Sequence, residues 1–329
     1  MTYWTWGFVA ALATWAGTGL ARRYALNKQL LDQPDARRNH SIATPRGGGI
    51  AIMVTLVGTV IALAWQRAVD QHTLALLGLA IALVGSIGWW DDHRPLSARL
   101  RLCVHALAAL CLFFAGLAQG WALWLCVSGA VIAVALINIW NFMDGIDGIA
   151  AAQAVVVAAA LGASTVGAWA GFSVALAGAA FGFLCWNFPR ARIFMGDVGS
   201  GVLGLAMAWA CMAYAAANEN GGWRLLFPLA PFLVDAGLTL AGRVLRKERW
   251  WEAHSLHTYQ LLARRLGTHV PVTLGFVALA AVGAGLMVFL GEVKITFILL
   301  ALFAWYTTLG IIWRVLRWPA KDRVDRSME

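Results

Sequence analysis

Long apolar runs alternate with short polar stretches along the whole chain. A helix needs ~20 apolar residues to cross a bilayer, and several runs approach that length. The pattern predicts eleven spans, approximately Trp4–Ala21, Gly48–Trp65, Leu74–Trp90, Leu102–Leu117, Trp121–Ile137, Ile149–Trp169, Gly171–Trp186, Gly201–Ala217, Trp223–Ala241, Val270–Leu290 and Ile295–Trp313. Many end in tryptophan, a side chain favoured at the membrane–water interface. The alanine-rich run near 149–169 meets the next at a short Gly-containing turn, so this boundary is the least sharply marked. The expected architecture is an all-α polytopic integral membrane protein, and the length does not require a second domain.

Composition agrees. The 329 residues are 61% hydrophobic and 12% charged, whereas globular chains are roughly half apolar. The cysteines Cys103, Cys111, Cys126, Cys185 and Cys211 all lie inside apolar runs without zinc or redox spacing. They read as small core residues. The N-terminus lacks the basic start of a signal peptide, and its first charges, Arg22 and Arg23, follow the first run. That predicts an uncleaved first helix that starts outside.

A net charge of +9 would suit nucleic acid, but the Lys and Arg residues are distributed one-sidedly. Loops on the side of Arg22 hold all of them except Arg67, Arg224 and Lys294. Such asymmetry marks the Arg22 side as cytoplasmic. The N-terminus is then periplasmic and the C-terminus cytoplasmic, and the basic charge needs no nucleic acid. Five polar stretches, Asn39–Gly49, Asp91–Arg101, Asn138–Gly148, Asn187–Ser200 and Glu248–Gln260, all fall on that cytoplasmic side. One face is built for chemistry, and the other connects helices.

The densest stretch is Asn138 to Gly148, which carries Asp144 and Asp147 three apart between apolar runs. If it opens a helix, both acids lie on one face of the first turn. Gly145 and Gly148 leave the backbone beside them bare, and Asn138 and Asn141 repeat the spacing with amide groups. Acids beside a span are costly unless wet, paired or bound to metal; the plain alternative is a polar hinge. Asp91 and Asp92 are adjacent, so they point differently and suit different tasks, one as base and one holding a metal or a cation. The alternative is a helix cap with a charge pair to Arg94. Phe194 to Gly201 sets glycines around Asp197 at a helix start, which suits phosphate and a hard cation such as Mg²⁺. A capped turn is the alternative there.

Arg37, Arg38, His40 and Arg46 precede Gly47-Gly48-Gly49, joining phosphate-reading guanidinium groups to an unusual backbone path. Positive-inside charge accounts for the arginines but not for the glycines. His254 and His257, three apart, suit phosphate contact or proton transfer better than zinc, since no third ligand type lies nearby. An interfacial helix anchored by Trp250 and Trp251 is compatible with either role. Asp235 interrupts the ninth run and is either paired inside the bundle or at the floor of the site.

Together these stretches resemble the polyprenyl-phosphate N-acetylhexosamine-1-phosphate transferases of glycosyltransferase family 4. The matching segments are His40 with Thr44 to Gly49, Asp91-Asp92, Asn138 to Ala151, Asn187 to Gly201 and the His254/His257 loop. The resemblance covers nearly the whole chain and implies one transmembrane transferase domain over residues 1–329. It implies transfer of a sugar-1-phosphate from a UDP-N-acetyl-sugar to undecaprenyl phosphate, releasing UMP. The cofactor would be Mg²⁺, or Mn²⁺ in its place, and the location a bacterial inner membrane, with a homodimer allowed. It implies Asp197, Asp147 and Asp144 as metal ligands and Asp91, Asp92, Asp144, Asp147, His254 and His257 as catalytic groups. Arg38, His40, Arg46, Arg101, Asn138, Asn141, Asn187 and Phe194 would bind substrate. The physical reading agrees, because donor and acceptor are both anions whose repulsion a metal and arginines would offset.

The peptidoglycan enzymes of this family carry three adjacent histidines, where this chain reads His254-Ser-Leu-His257. That wording resembles the O-antigen-initiating branch and argues against a MurNAc-pentapeptide donor. UDP-GlcNAc or a deoxy sugar such as UDP-N-acetylfucosamine or UDP-N-acetylquinovosamine is expected instead. A transporter or flippase is the rival class. Those place ionisable groups near the midplane and often repeat internally, whereas here the acids gather at one surface and only Asp235 and His105 lie deeper.

Overall fold

A computed structural model describes residues 3–32, 43–248 and 255–317. The helices are α1 (Tyr3–Asn27), α2 (Ile50–Trp65), α3 (Gln71–His93), α4 (Ala98–Ala118), α5 (Leu123–Met143), α6 (Ile149–Ser164) and α7 (Gly167–Asn187). They continue as α8 (Gly196–Ala217), the single turn α9 (Gly221–Arg224), α10 (Leu226–Leu245), α11 (Thr258–Leu266), α12 (Val270–Phe289) and α13 (Ile295–Arg317). Two-residue strands β1 (Leu31–Asp32) and β2 (Thr44–Pro45) pair antiparallel beside the end of α1, a small departure from an all-helical expectation.

Among the described residues, α3, α4, α5, α7, α8, α10, α12 and α13 are long and apolar enough to cross a membrane. The protein is therefore a multi-pass membrane protein. α2 and α6 are apolar but have 16 residues each, and α1 has 25. Every expected run coincides with a helix, but some boundaries move. α6 stops at Ser164 because Thr165 and Val166 are extended, and Gly167, at φ +69°, starts α7, which takes Trp169. The ninth run divides into α9 and α10. α5 continues past Ile137 to Met143.

Side-chain caps fix several helix starts. The Asp70 carboxylate accepts the Thr73 amide at 2.9 Å for α3, and the Ser97 hydroxyl accepts the Leu100 amide at 3.3 Å for α4. Each satisfies an amide that the helix itself leaves without a partner. At the centre lies α8, whose residues Val198 to Tyr214 are all buried. It packs against α2, α3, α5, α6 and α7. Its many alanines and glycines let these neighbours approach closely, as packing between membrane helices favours. α12 and α13 are peripheral. Large aromatics at helix ends, among them Trp4, Trp65, Trp90 and Trp124, are exposed, as interfacial side chains are.

Candidate active site

The C-terminal ends of α3, α5 and α7 meet the N-terminal ends of α6, α8 and α12 around one polar cavity. At the end of α3, Asp91 and Asp92 face different partners. Asp91 accepts the Leu96 amide at 2.6 Å and an Arg101 Nη1 proton at 3.0 Å. Asp92 is buried and accepts the Asp197 amide at 3.1 Å, with the Val198 amide at a long 3.5 Å. It thus caps α8 from another helix, opposite the positive end of the helix dipole. The same Arg101 Nη1 donates to Asp197 at 2.9 Å, so one guanidinium ties Asp91 to Asp197. On the other oxygen, Asp197 accepts the Asn141 amide at 2.9 Å, and Asn141 also reaches the Ser200 hydroxyl at 3.2 Å.

Asp144 and Asp147 do not occupy the first turn of a helix. α5 ends at Met143 with Asp144 as its C-cap, and α6 begins only after Gly148, at φ +78°. The acids therefore sit in the connecting turn, where the left-handed conformation demands glycine. The Gly148 amide donates to Asn187 Oδ1 at 2.8 Å, and Asn187 Nδ2 donates to the Ile193 carbonyl at 3.0 Å. Asn187 thereby couples this turn to the loop leading into α8. The Thr273 hydroxyl donates to the Asp147 carbonyl at 2.7 Å, and His269 Nδ1 stands 3.2 Å from the Asp147 carboxylate. The Tyr259 hydroxyl donates to the Phe142 carbonyl at 2.9 Å, docking α11 on the same corner.

The glycine triplet serves close packing. The Gly48 and Gly49 amides donate to the Phe194 and Met195 carbonyls, each at 2.9 Å, and the Phe194 amide donates to Pro45 at 2.8 Å. A Cβ on Gly49 would stand 2.2 Å from the Gly199 Cα, so the starts of α2 and α8 meet backbone to backbone.

The cavity measures about 290 Å³, and its lining includes Arg46, Asp92, Asn141, Asp144, Asp147, Asn187, Phe194 and Asp197. Burial, together with the carboxylates of Asp197, Asp92 and Asp147, pushes the Asp144 carboxyl up to about 8. This corner holds more negative charge than its own residues offset. Of the residues singled out from sequence, these eight line the cavity, and Asp91 and Arg101 adjoin it through Asp197. Asn138 does not line it; its amide donates back to the Val134 carbonyl within α5 at 2.7 Å. His257 is not in the lining either. It is the buried N-cap residue of α11, stacked between Phe142 and Tyr259 with ring centroids 6.3 and 5.8 Å away. Burial holds its pKa below the usual imidazole range. Arg38, His40 and His254 lie outside the described residues. Asp235 is paired within the bundle, accepting the Thr258 amide at 2.8 Å and the Tyr259 amide at 3.1 Å.

Gln260, His269 and Asp32 also line the cavity, and sequence reasoning did not single them out. For His269 a signal was present. It directly precedes Val270-Pro271 at the start of a span, on the side where the other polar stretches lie.

The family model described as "Glycosyl transferase family 4" matches residues 74–215, the segment that holds every cavity residue from Asp92 to Asp197. A "Phospho-N-acetylmuramoyl-pentapeptide-transferase" of Synechococcus sp. (strain CC9311) is 33% identical, over 69% of this chain and 68% of that protein. The chain belongs to glycosyl transferase family 4. Within that family, it is 32% identical to a "Decaprenyl-phosphate N-acetylglucosaminephosphotransferase" of Mycobacterium tuberculosis (strain CDC 1551 / Oshkosh), over 69% of this chain and 65% of that one. The chain thus spans a little under two thirds of this mycobacterial relative's length. It is 27% identical to an "Undecaprenyl-phosphate alpha-N-acetylglucosaminyl 1-phosphate transferase" of Thermotoga maritima, over 76% and 78% respectively.

Proposed function

We propose that this member of glycosyl transferase family 4 transfers an N-acetylhexosamine-1-phosphate from its UDP-sugar to undecaprenyl phosphate at the cytoplasmic face of a bacterial inner membrane. The carrying observation is one cavity in which Arg46, Asp92, Asn141, Asp144, Asp147 and Asp197 converge at a single end of the bundle. The one-sided Lys and Arg distribution supports eleven crossings with that end in the cytoplasm. The product would initiate O-antigen or a related surface glycan.

In the reaction, an oxygen of the lipid phosphate attacks the sugar-linked phosphorus of the donor. The bond from that phosphorus to the bridging oxygen breaks, and UMP leaves with the bond electrons. A phosphate monoester is mostly ionised at pH 7, so the nucleophile needs no strong base. This accords with an Asp92 whose oxygens already accept the α8 amides. Arg101 orients Asp91 and Asp197 and offsets part of their charge. Asn141 holds the other Asp197 oxygen.

The acidic corner suits Mg²⁺. Its donors are hard oxygens, and the raised Asp144 carboxyl reflects charge that a divalent cation would relieve. No group of three His, Cys, Asp or Glu side chains converges on one metal position among the described residues. That accords with an ion bound by one or two carboxylates together with water and substrate phosphates. One or two of Asp197, Asp144 and Asp147 would hold it, and it would supply charge neutralisation of the donor diphosphate.

The test is UMP release by purified protein given UDP-GlcNAc, undecaprenyl phosphate and Mg²⁺, with Asp197→Asn as control. UMP that requires all three and is lost in the variant supports the reading. If UDP-GlcNAc is inert, UDP-N-acetyl deoxy sugars and UDP-MurNAc-pentapeptide follow, the latter because the Synechococcus relative carries that name. Folded protein silent across the panel refutes the transferase.

A further inference from the structure

Three basic residues, Arg67, Arg224 and Lys294, lie at the end of the bundle away from the acidic cavity. Arg67 and Lys294 are exposed, as surface cations are. Arg224 is only 5% exposed. It follows α8, whose 22 residues carry the chain about 33 Å from the cavity. Topogenic charge does not account for it, since that charge gathers at the other end.

A buried charge is costly unless it is paired and hydrogen-bonded. Arg224 is short of such partners. Its Nη2 donates to the Glu219 carbonyl at 2.9 Å, and its guanidinium lies over the Tyr214 ring, 5.5 Å from the centroid. Nε is buried with no hydrogen-bond partner among the described residues, and so is the Tyr214 hydroxyl. No carboxylate among the described residues pairs with the guanidinium; Glu219 and Glu292 are exposed. Nη1 stands at the turn between α12 and α13, where a Cβ on Gly291 would be 3.2 Å from it. The bare glycine backbone lets a ligand come close there. The cradle is held in place by α13. Pro231 has no amide for the Phe227 carbonyl, and the Trp305 indole donates to it instead at 3.1 Å. The Tyr306 hydroxyl donates to the Leu226 carbonyl at 3.0 Å.

The neighbouring surface is apolar, with Trp223, Val288 and Phe289 exposed. A guanidinium that lacks an acceptor at the rim of a lipid-facing surface calls for an anionic oxygen joined to hydrocarbon. Arginine receives phosphate through paired hydrogen bonds. We propose that Arg224 binds the phosphate of a phospholipid headgroup, in the leaflet away from the acidic cavity, with the acyl chains against Val288 and Phe289. The site is independent of sugar-phosphate transfer. Free phosphate offers the same oxygens without the tails, so the test separates the two sources.

The test is native mass spectrometry of purified, delipidated protein titrated with dioleoyl phosphatidylglycerol. Arg224→Gln should weaken the first lipid bound about tenfold or more. Arg67→Gln removes an exposed charge from the same end and should leave that affinity in place. Dioleoylglycerol has the same tails and no phosphate, and should bind wild-type protein about tenfold more weakly or worse. Excess inorganic phosphate should not displace the phospholipid. An affinity unmoved by Arg224→Gln, or lowered equally by Arg67→Gln, overturns the proposal. Dioleoylglycerol that binds as well overturns it too, and displacement by inorganic phosphate assigns Arg224 to a soluble anion instead. Labelling of wild-type protein decides the matter even if Arg224→Gln fails to fold. Phosphatidylglycerol with a photoreactive headgroup should mark peptides spanning 219–226 and 288–294. Excess phosphatidylglycerol, and not excess dioleoylglycerol, should abolish the mark. Labelling confined to other segments, or equal loss with either competitor, overturns the site.

Discussion

Asp235→Ala should release α11 from the bundle. The carboxylate is 2% exposed and accepts the Thr258 amide at 2.8 Å, the Tyr259 amide at 3.1 Å, and the Thr239 hydroxyl and Trp313 indole at 3.3 Å each. It is thus the cap of a helix that starts thirteen residues beyond the end of its own, set by the fold rather than by local sequence. A hydrogen bond to a charged acceptor contributes about 1.5–3 kcal/mol net, so losing both amide bonds removes at most about 3–6 kcal/mol. Water reaching the freed amides lowers that figure. A working value of about 3 kcal/mol corresponds to roughly a hundredfold change in local opening. Amide hydrogen exchange across Thr258–Leu266 measures this directly. The variant should exchange there about a hundredfold faster, while α5 and α8 keep their protection. Asp235→Asn retains one accepting oxygen and should fall between. The Tyr259 hydroxyl bond to Phe142 and Gln260 in the cavity lining both depend on α11, so kcat should fall as well. Exchange in α11 that rises less than about threefold, or rises equally throughout the bundle, would refute the capping argument.

Three further outcomes are expected. The Asp144 carboxyl is raised from an ordinary value of 3.8 to about 8, so the folded state binds its proton more tightly than the unfolded state. Its stabilising contribution is complete below about pH 4 and lost as pH rises through about 8. Thermal unfolding in a chelator should show this decline, Asp144→Asn should flatten it, and a midpoint that rises across the window would contradict the assignment. Arg101→Ala leaves Asp91 and Asp197 without their shared partner and should lower kcat by about 10²–10³, with Arg101→Lys recovering part of it; an unchanged kcat would remove Arg101 from the machinery. Gly49→Ala sets a Cβ 2.2 Å from the Gly199 backbone and should cost about 1–3 kcal/mol as a lowered unfolding midpoint, whereas wild-type stability would mean the two helix starts are not in contact.

The alternation of apolar runs and polar stretches, with the one-sided arginines, was enough by itself to outline the helices and the face on which chemistry gathers. A bilayer admits few chain designs, so length and hydropathy carry much of the architecture. The acids at 91, 92, 144, 147 and 197 stood out because a carboxylate beside an apolar run has few inexpensive explanations. What tertiary structure alone decided was how each polar side chain is used. Asp92 and Asp235 cap helices remote in sequence, and Asp144 and Asp147 occupy a turn rather than a helix face. Asn138 bonds within its own helix, while His269 and Gln260 arrive in the cavity from more than a hundred residues beyond Asp147. These outcomes depend on the rotation and axial offset of each helix against α8. The close backbone contacts of the whole bundle set both, and no single stretch of sequence encodes them.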